Sequence, residues 1–242
     1  MTAIDLNADL GEGYDVYEWG SDDIILNYVS SANIACGFHA GDPHTMRKAV
    51  ESCLKLGVAI GAHPGLPDRL GFGRREMSVT PEEAADFVLY QVGALQAYVK
   101  AAGGSLQHVK LHGALYHMAA KDERLANAIV KCISQLDPTL LLYGPHGSQL
   151  EVAAKVKGIR FISEGFADRV YLPDGSLMPR SQPDAVIVET ENVVNQAISL
   201  ASAGKFETLC FHGDTPKARE HAQQIVERMK KYGINIQPLV KV

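Results

Sequence analysis

The sequence predicts an α/β fold, a seven-stranded parallel (β/α) barrel-like domain spanning residues 1–242. Three observations point there. Apolar strand-like runs alternate with helix-period segments along the chain, the pattern of βαβ units and a mostly parallel sheet. Five runs end in His or Asp beside Gly: Ile4–Gly13, Ser31–Asp42, Val58–Gly65, Val109–Tyr116 and Thr208–Asp214. Chemistry-bearing residues therefore follow nearly every strand instead of gathering at one switch point, which favours a barrel with its site at the carboxyl-end mouth over an open doubly wound sheet.

The elements follow in order. Ile4–Asp9 is the first strand, running into Leu10-Gly11-Glu12-Gly13, and Ser21 or Asp22 can cap a short helix over Asp23–Val29. Ser31–Cys36 is the second strand, and Pro43 opens a helix to about Leu56 that Gly57 stops. Val58–Ala62 is the third strand, with a long loop through Arg74-Arg75. Thr80-Pro81-Glu82-Glu83 is a capping-box start for a helix to about Ala102. Val109–His112 is the fourth strand and Asp122–Leu136 the next helix. Leu140–Tyr143, Ile159–Ser163 and Thr208–Phe211 are the remaining strands. Helices are expected over Gln149–Val156, Glu191–Ala203 and from Pro216 through Lys231, with an extended tail at Ile234–Val242.

Composition narrows the function classes. Of 242 residues, 46% are hydrophobic, enough for a sizeable core, and the net charge of −5 comes with no basic stripe. Nucleic acid and anionic membrane are therefore poor partners. No apolar run approaches the roughly 20 residues of a membrane helix, and the amino terminus lacks the pattern of a signal peptide. Cys36, Cys53, Cys132 and Cys210 sit in apolar patterns without a CxxC, as buried free thiols do in a reducing cytoplasm, so a cytoplasmic location is expected. Walker, GxGxxG and GxSxG motifs are absent.

The strand ends supply the candidate catalytic groups. Asp9 and Glu12 are paired carboxylates across a turn, able to divide base work from cation binding; the alternative is a backbone-capping Asp9 and a solvated Glu12. His39, His63 and His212 stand beside Gly at or near strand ends, where imidazole can ligate a metal, shuttle a proton or bind an oxyanion. Asp9, His39 and His63 form a chemically reasonable divalent-metal set. Lys110 and His112 alternate in the fourth strand and so share a face, and a lysine pointing inward needs a carboxylate or an anionic ligand. His108 reads as structural, and His44, His117, His146 and His221 as background. Arg74, Arg75, Asp168, Arg169 and Arg180 are loop charges, of which Arg169 lies closest behind a strand end.

At these residues the chain resembles a known family. NADLGEG, SANIACGFHAGDP, GVAIGAHPG, GFGRR, VKLHGALY, FADRVYLPDGSLMPRSQP and FHGDTP, in this order, are similar to the LamB/YcsF family, the A component of bacterial 5-oxoprolinase, over essentially the whole chain. The resemblance implies a barrel of the glycoside hydrolase/deacetylase type and ATP-dependent opening of the 5-oxoproline lactam to L-glutamate, with ATP and Mg2+ as cofactors and the B and C components of 5-oxoprolinase as partners. The family often has Cys where this chain has Ala8, Pro at Leu111 and Asn at His117, and the segment before FHGDTP is shorter here.

On this reading Asp9 or Glu12 handles the attacking water, His39, His63 and His212 serve proton transfer and oxyanion contacts, and His112 belongs to the same catalytic set. Lys110 and Arg169 neutralise phosphate or the substrate carboxylate. The substrate-binding set is Asn33, Asp42, Glu164, Arg169, Arg180 and Asp214. Two rival readings are a stand-alone metal-dependent deacetylase or amidohydrolase, and a catalytically silent component that only presents substrate.

Overall fold

Alternation along the first strand decides the architecture. In a computed structural model that describes residues 3–14, 22–180, 182–213 and 217–240, β1 (Ala3–Leu10) buries Ile4, Leu6, Ala8 and Leu10 in the main apolar core. Its intervening residues Asp5, Asn7 and Asp9 bond to polar groups of other strands. Period-2 geometry separates the two sets onto opposite faces.

The elements run β1, α1 (Asp22–Ile25), β2 (Ser31–Ala35), α2 (Pro43–Leu56), β3 (Ala59–His63), α3 (Pro81–Ala101), β4 (Leu106–Lys110), α4 (Gly113–Lys121), α5 (Glu123–Leu136), β5 (Leu141–Gly144), α6 (Gln149–Lys157), β6 (Phe161–Phe166), α7 (Thr190–Ser202), β7 (Thr208–Cys210), α8 (Ala218–Lys231) and β8 (Asn235–Ile236). Strands pair in the order β2-β3-β4-β5-β6-β7-β1, and β1 pairs back with β2, closing a seven-stranded barrel. Every pairing is parallel. The short β8 runs beside Ala3 and Ile4 at the start of β1.

The barrel interior is polar and layered, unlike the branched apolar filling usual in such folds. At the bottom, Asp5 accepts hydrogen bonds from the Ser30 and Ser31 hydroxyls, both at 2.6 Å, from Thr208 at 2.6 Å and from Tyr143 at 3.1 Å. In the middle, Asn33 Nδ2 donates to Asn7 at 2.7 Å and to Asp9 at 2.9 Å, while His108 Nε2 donates to Asn33 Oδ1 at 2.8 Å. The register Asn33↔Gly61↔His108 explains the small residue between them. A Cβ on Gly61 would fall 1.9 Å from His108 Nε2, so the imidazole fills the space a side chain would take. Burying such groups is tolerable because each of these side chains finds at least one partner, although His108 Nδ1 has none among the described residues.

Helix boundaries obey local capping. Asp42 accepts from the His44 and Thr45 amides at the start of α2, with Pro43 in the first turn, and Thr80 and Glu83 form the reciprocal capping box of α3. Three expectations are corrected. The fourth strand ends at Lys110, so the inward pair on it is His108 and Lys110, and His112 lies past its end as the N-cap of α4. That helix, Gly113–Lys121, is unforeseen. The sixth strand extends to Phe166, which puts Glu164 within it. Among the described residues no helix is long and apolar enough to cross a membrane.

Candidate active site at the barrel mouth

Parallel closure brings the carboxyl ends of the strands to one rim, over a cavity of about 360 Å3. Its walls include Asp9 from β1, His63 from β3, Lys110 from β4, His112 from the β4–α4 junction and His212 just past β7. Such a volume suits a small molecule.

Lys110 anchors the floor. Its ammonium donates to Asp9 Oδ1 at 3.0 Å, Asn7 Oδ1 at 3.2 Å and Cys210 Sγ at 3.0 Å, and lies 2.9 Å from Glu164 Oε1. Burial alone would lower its pKa, but the neighbouring Asp9, Cys210 and Glu164 raise it well above the ordinary lysine value. Burial would likewise raise Asp9, yet His63 and Lys110 hold it well below the usual carboxylate range. The pair is therefore ionic and buried. Glu164 completes it from behind, taking the Tyr116 hydroxyl at 2.9 Å and the Asn7 amide at 3.1 Å.

Beside this pair three imidazoles converge with Glu12. His63 Nδ1 lies 2.8 Å from the Lys110 carbonyl and His112 Nε2 lies 2.8 Å from the Phe72 carbonyl, so both nitrogens must carry hydrogen. The inward atoms, His63 Nε2 and His112 Nδ1, are 2.9 Å apart. In neutral rings both present lone pairs, which repel unless a cation lies between them. Asp9 Oδ2 is 3.3 Å from His63 Nε2, and Glu12 Oε1 is 3.8 Å from His112 Nδ1. His39 stacks on His112 with centroids 3.7 Å apart and places Nε2 3.4 Å from Glu12 Oε1. Among the described residues neither His39 ring nitrogen makes a hydrogen bond, although the residue is buried. Burial, then the neighbouring imidazoles, push both His39 and His112 well below the usual histidine pKa, keeping the rings neutral.

Four donor atoms, from Glu12, His39, His63 and His112, thus lie within 4.8 Å of one another. Outer nitrogens tied to backbone carbonyls are the usual support of metal-ligating histidines. This donor set fits a divalent cation such as zinc. It differs from the expected Asp9–His39–His63 set by drawing in Glu12 and His112, while Asp9 flanks it through His63 and is engaged by Lys110. The loop after β3 closes this cluster. Gly73 has φ of 64°, and a Cβ there would stand 2.7 Å from the His39 Cβ and 2.9 Å from His112 Cδ2.

Opposite lies a residue that strand-end reasoning leaves among the loop charges. Asp168, fully buried, accepts from His212 Nδ1 at 2.9 Å and from the His212 backbone amide at 2.8 Å. Burial would raise its pKa, but the His212 charge and these hydrogen bonds outweigh it and hold Asp168 at about 2. With Nδ1 held by Asp168, Nε2 is the nitrogen through which His212 can exchange a proton, the arrangement of an oriented proton-transfer group.

The expected substrate-binding residues separate. Arg169 and Arg180 line the cavity. Arg169 is also structural: Nε donates to the Ala185 carbonyl at 3.2 Å and Nη2 to the Met178 carbonyl at 2.6 Å. Asn33 and Glu164 bond to Asp9 and Lys110 respectively and are not among the lining residues, and Asp42 caps α2. Asp214 lies outside the described residues.

Known proteins share both this sequence pattern and this fold. A family model for the LamB/YcsF family matches residues 4–242. The chain is 49% identical to the A component of 5-oxoprolinase from Geobacillus thermodenitrificans, over 100% of this chain and 98% of the relative. It superposes on the lactam utilization protein of Thermus thermophilus with a TM-score of 0.91 and 42% identity, covering 97% of this chain and 98% of the other. The catalytic domain of a peptidoglycan N-acetylglucosamine deacetylase from Eubacterium rectale shares the fold at a TM-score of 0.56 and 13% identity, over 99% of this chain and 89% of the other.

Proposed function

The chain belongs to the LamB/YcsF family, and on that basis we propose that it is the A component of a cytoplasmic, ATP-dependent 5-oxoprolinase that opens the 5-oxo-L-proline lactam to L-glutamate, acting with ATP, Mg2+ and the partner components B and C. The observation that carries this reading is one small cavity combining an oriented imidazole, His212 on Asp168, with the buried Asp9–Lys110 pair and a rim of guanidinium groups.

A five-membered lactam is an unactivated amide, which is why its opening is coupled to ATP. Transfer of the γ-phosphoryl group to the lactam oxygen gives an imidate phosphate. Water then adds to the ring carbon, and the carbon–nitrogen bond breaks as the nitrogen gains a proton, leaving an acyl phosphate. A second water releases phosphate and forms the second carboxylate of glutamate.

The proton steps suit His212 better than Asp9. A carboxylate held far below its ordinary pKa is a weak base, whereas the His212 imidazole is oriented by Asp168 to take up and give back a proton. Asp9 then positions Lys110 and His63 and supplies fixed negative charge. Glu12, His39, His63 and His112 would hold a divalent ion, which when bound polarises a carbonyl or lowers the pKa of a water.

That same donor cluster favours a second reading, a stand-alone metal-dependent amidohydrolase. Glutamate formation from 5-oxoproline separates the two. The proposal expects turnover only with ATP–Mg2+ and the B and C components, at one ADP per glutamate. The alternative expects chelator-sensitive amide hydrolysis by the chain alone without ATP.

A further inference from the structure

The cavity is divided by depth and by charge. Its deep residues Asp9, His63 and Lys110 are strand residues within the barrel. Its outer wall comes from loops and a helix end: Arg74 follows β3, Lys121 ends α4, and Arg169 and Arg180 follow β6. Arg74 is exposed and Arg180 half-buried, so this wall faces the entrance. Among the described residues that line the cavity, Glu76 stands on this wall with the cations, and Asp9 is held by Lys110 on the floor.

We propose that Arg74 and Arg180, arranged around the fixed Arg169, form a carboxylate seat that makes the chain select lactams bearing a carboxylate next to the ring nitrogen. This rests on the lactam reading above and names what that reading leaves open, the part of the substrate that confers selection.

Two features of the wall support it. Like charges converging on a concave surface favour an anion among them, and guanidinium forks match a carboxylate in geometry. Arg169 cannot swing away from its neighbours, because two of its nitrogens are tied to the carbonyls of Ala185 and Met178. Burial, reinforced by the charges of Arg180 and Arg74, pushes its pKa down to about 10, the electrostatic mark of that convergence. The Arg74 guanidinium, 4.8 Å from the Phe72 ring centroid, is backed by an aromatic face.

Calorimetric titration of the full chain tests the seat, with 5-oxo-L-proline, its uncharged carboxamide, glutarate and inorganic phosphate as probes and Arg74→Gln and Arg180→Gln as variants. Arg74 is exposed, and a melting curve checks that both variants keep the fold. We expect the acid to bind at least about tenfold tighter than the carboxamide, the yield of one charge-assisted fork. Each variant should shrink that preference to about threefold or less, leaving carboxamide affinity unchanged. Acid preference surviving in both variants would overturn the seat while leaving the lactam reading intact. Glutarate binding that both variants lose, with no binding of 5-oxoproline, would support the seat and remove the lactam. Binding of phosphate but of no carboxylate, or of no anion at all, would overturn the seat.

Discussion

Asp168 and His212 are 44 residues apart in sequence, yet the Asp168 carboxylate takes both the Nδ1 hydrogen of His212, at 2.9 Å, and its backbone amide, at 2.8 Å. The double contact fixes the tautomer and the ring plane at once, with the Phe166 ring lying 5.8 Å away and nearly parallel. An Asn at position 168 could present its amide nitrogen to Nδ1 and reverse the tautomer. Asp168→Asn should therefore lower kcat in the assembled enzyme by about 10^2–10^4-fold, the range of an oriented general acid–base group, with KM changed little. Steady-state kinetics on 5-oxoproline check this.

The same carboxylate makes a pH prediction. Its folded pKa, about 2, lies below the ordinary 3.8. A group depressed on folding stabilises fully above its unfolded pKa and loses that contribution as pH falls through the folded value. Urea midpoints of the wild type should therefore fall between about pH 4 and 2, with a smaller fall in Asp168→Asn. Parallel curves over that window would contradict the assignment.

Lys110 is the counterion of two buried carboxylates, Asp9 and Glu164. Lys110→Met would leave them uncompensated, and removing one partner of a buried ion pair costs about 3–5 kcal/mol. Chemical denaturation should show a loss of that size, with activity abolished.

Two glycines give opposite expectations for the same substitution. A Cβ at Gly61 collides with His108, so Gly61→Ala should cost about 3 kcal/mol or more, or prevent folding. Gly93 lies inside α3 with nothing within 4 Å of a built Cβ, so Gly93→Ala should stabilise by about 1 kcal/mol. Thermal melts of the two variants make the comparison.

Much of the frame is legible in the sequence. The alternation of β1 and the strand ends rich in His, Asp and Gly announce a parallel barrel with its chemistry at the mouth. Other features depend on tertiary structure. Helix α4 starts at His112 without a side-chain cap bond and with Gly113 first, a combination that reads as a turn. Taken as a turn, it moves the end of the fourth strand to His112 and hides His108 as the inward partner of Lys110. Asp168 looks like a surface loop charge until the pairing of β6 with β7 brings it beside His212. Glu12 and His112 join His39 and His63 only because the loop after β3 folds over them, and no local spacing encodes that.

The metal-type cluster makes a binding prediction independent of turnover. Equilibrium dialysis against Zn2+ should give one ion per chain, weakened at least about tenfold by His112→Ala or Glu12→Gln and unaffected by His44→Ala, at an exposed position. Equal binding by all three variants would place the ion elsewhere.

If lactam opening takes place in this cavity with His212 moving the proton, the imidazole should govern turnover and not binding. The direct measurement is glutamate formed from 5-oxo-L-proline in the complete enzyme, with wild-type or His212→Ala chain, beside calorimetric binding of 5-oxoproline to each. We predict at least about 100-fold less glutamate from His212→Ala, with substrate affinity retained within a few fold. Glutamate production at the wild-type rate by a folded His212→Ala chain would contradict that role.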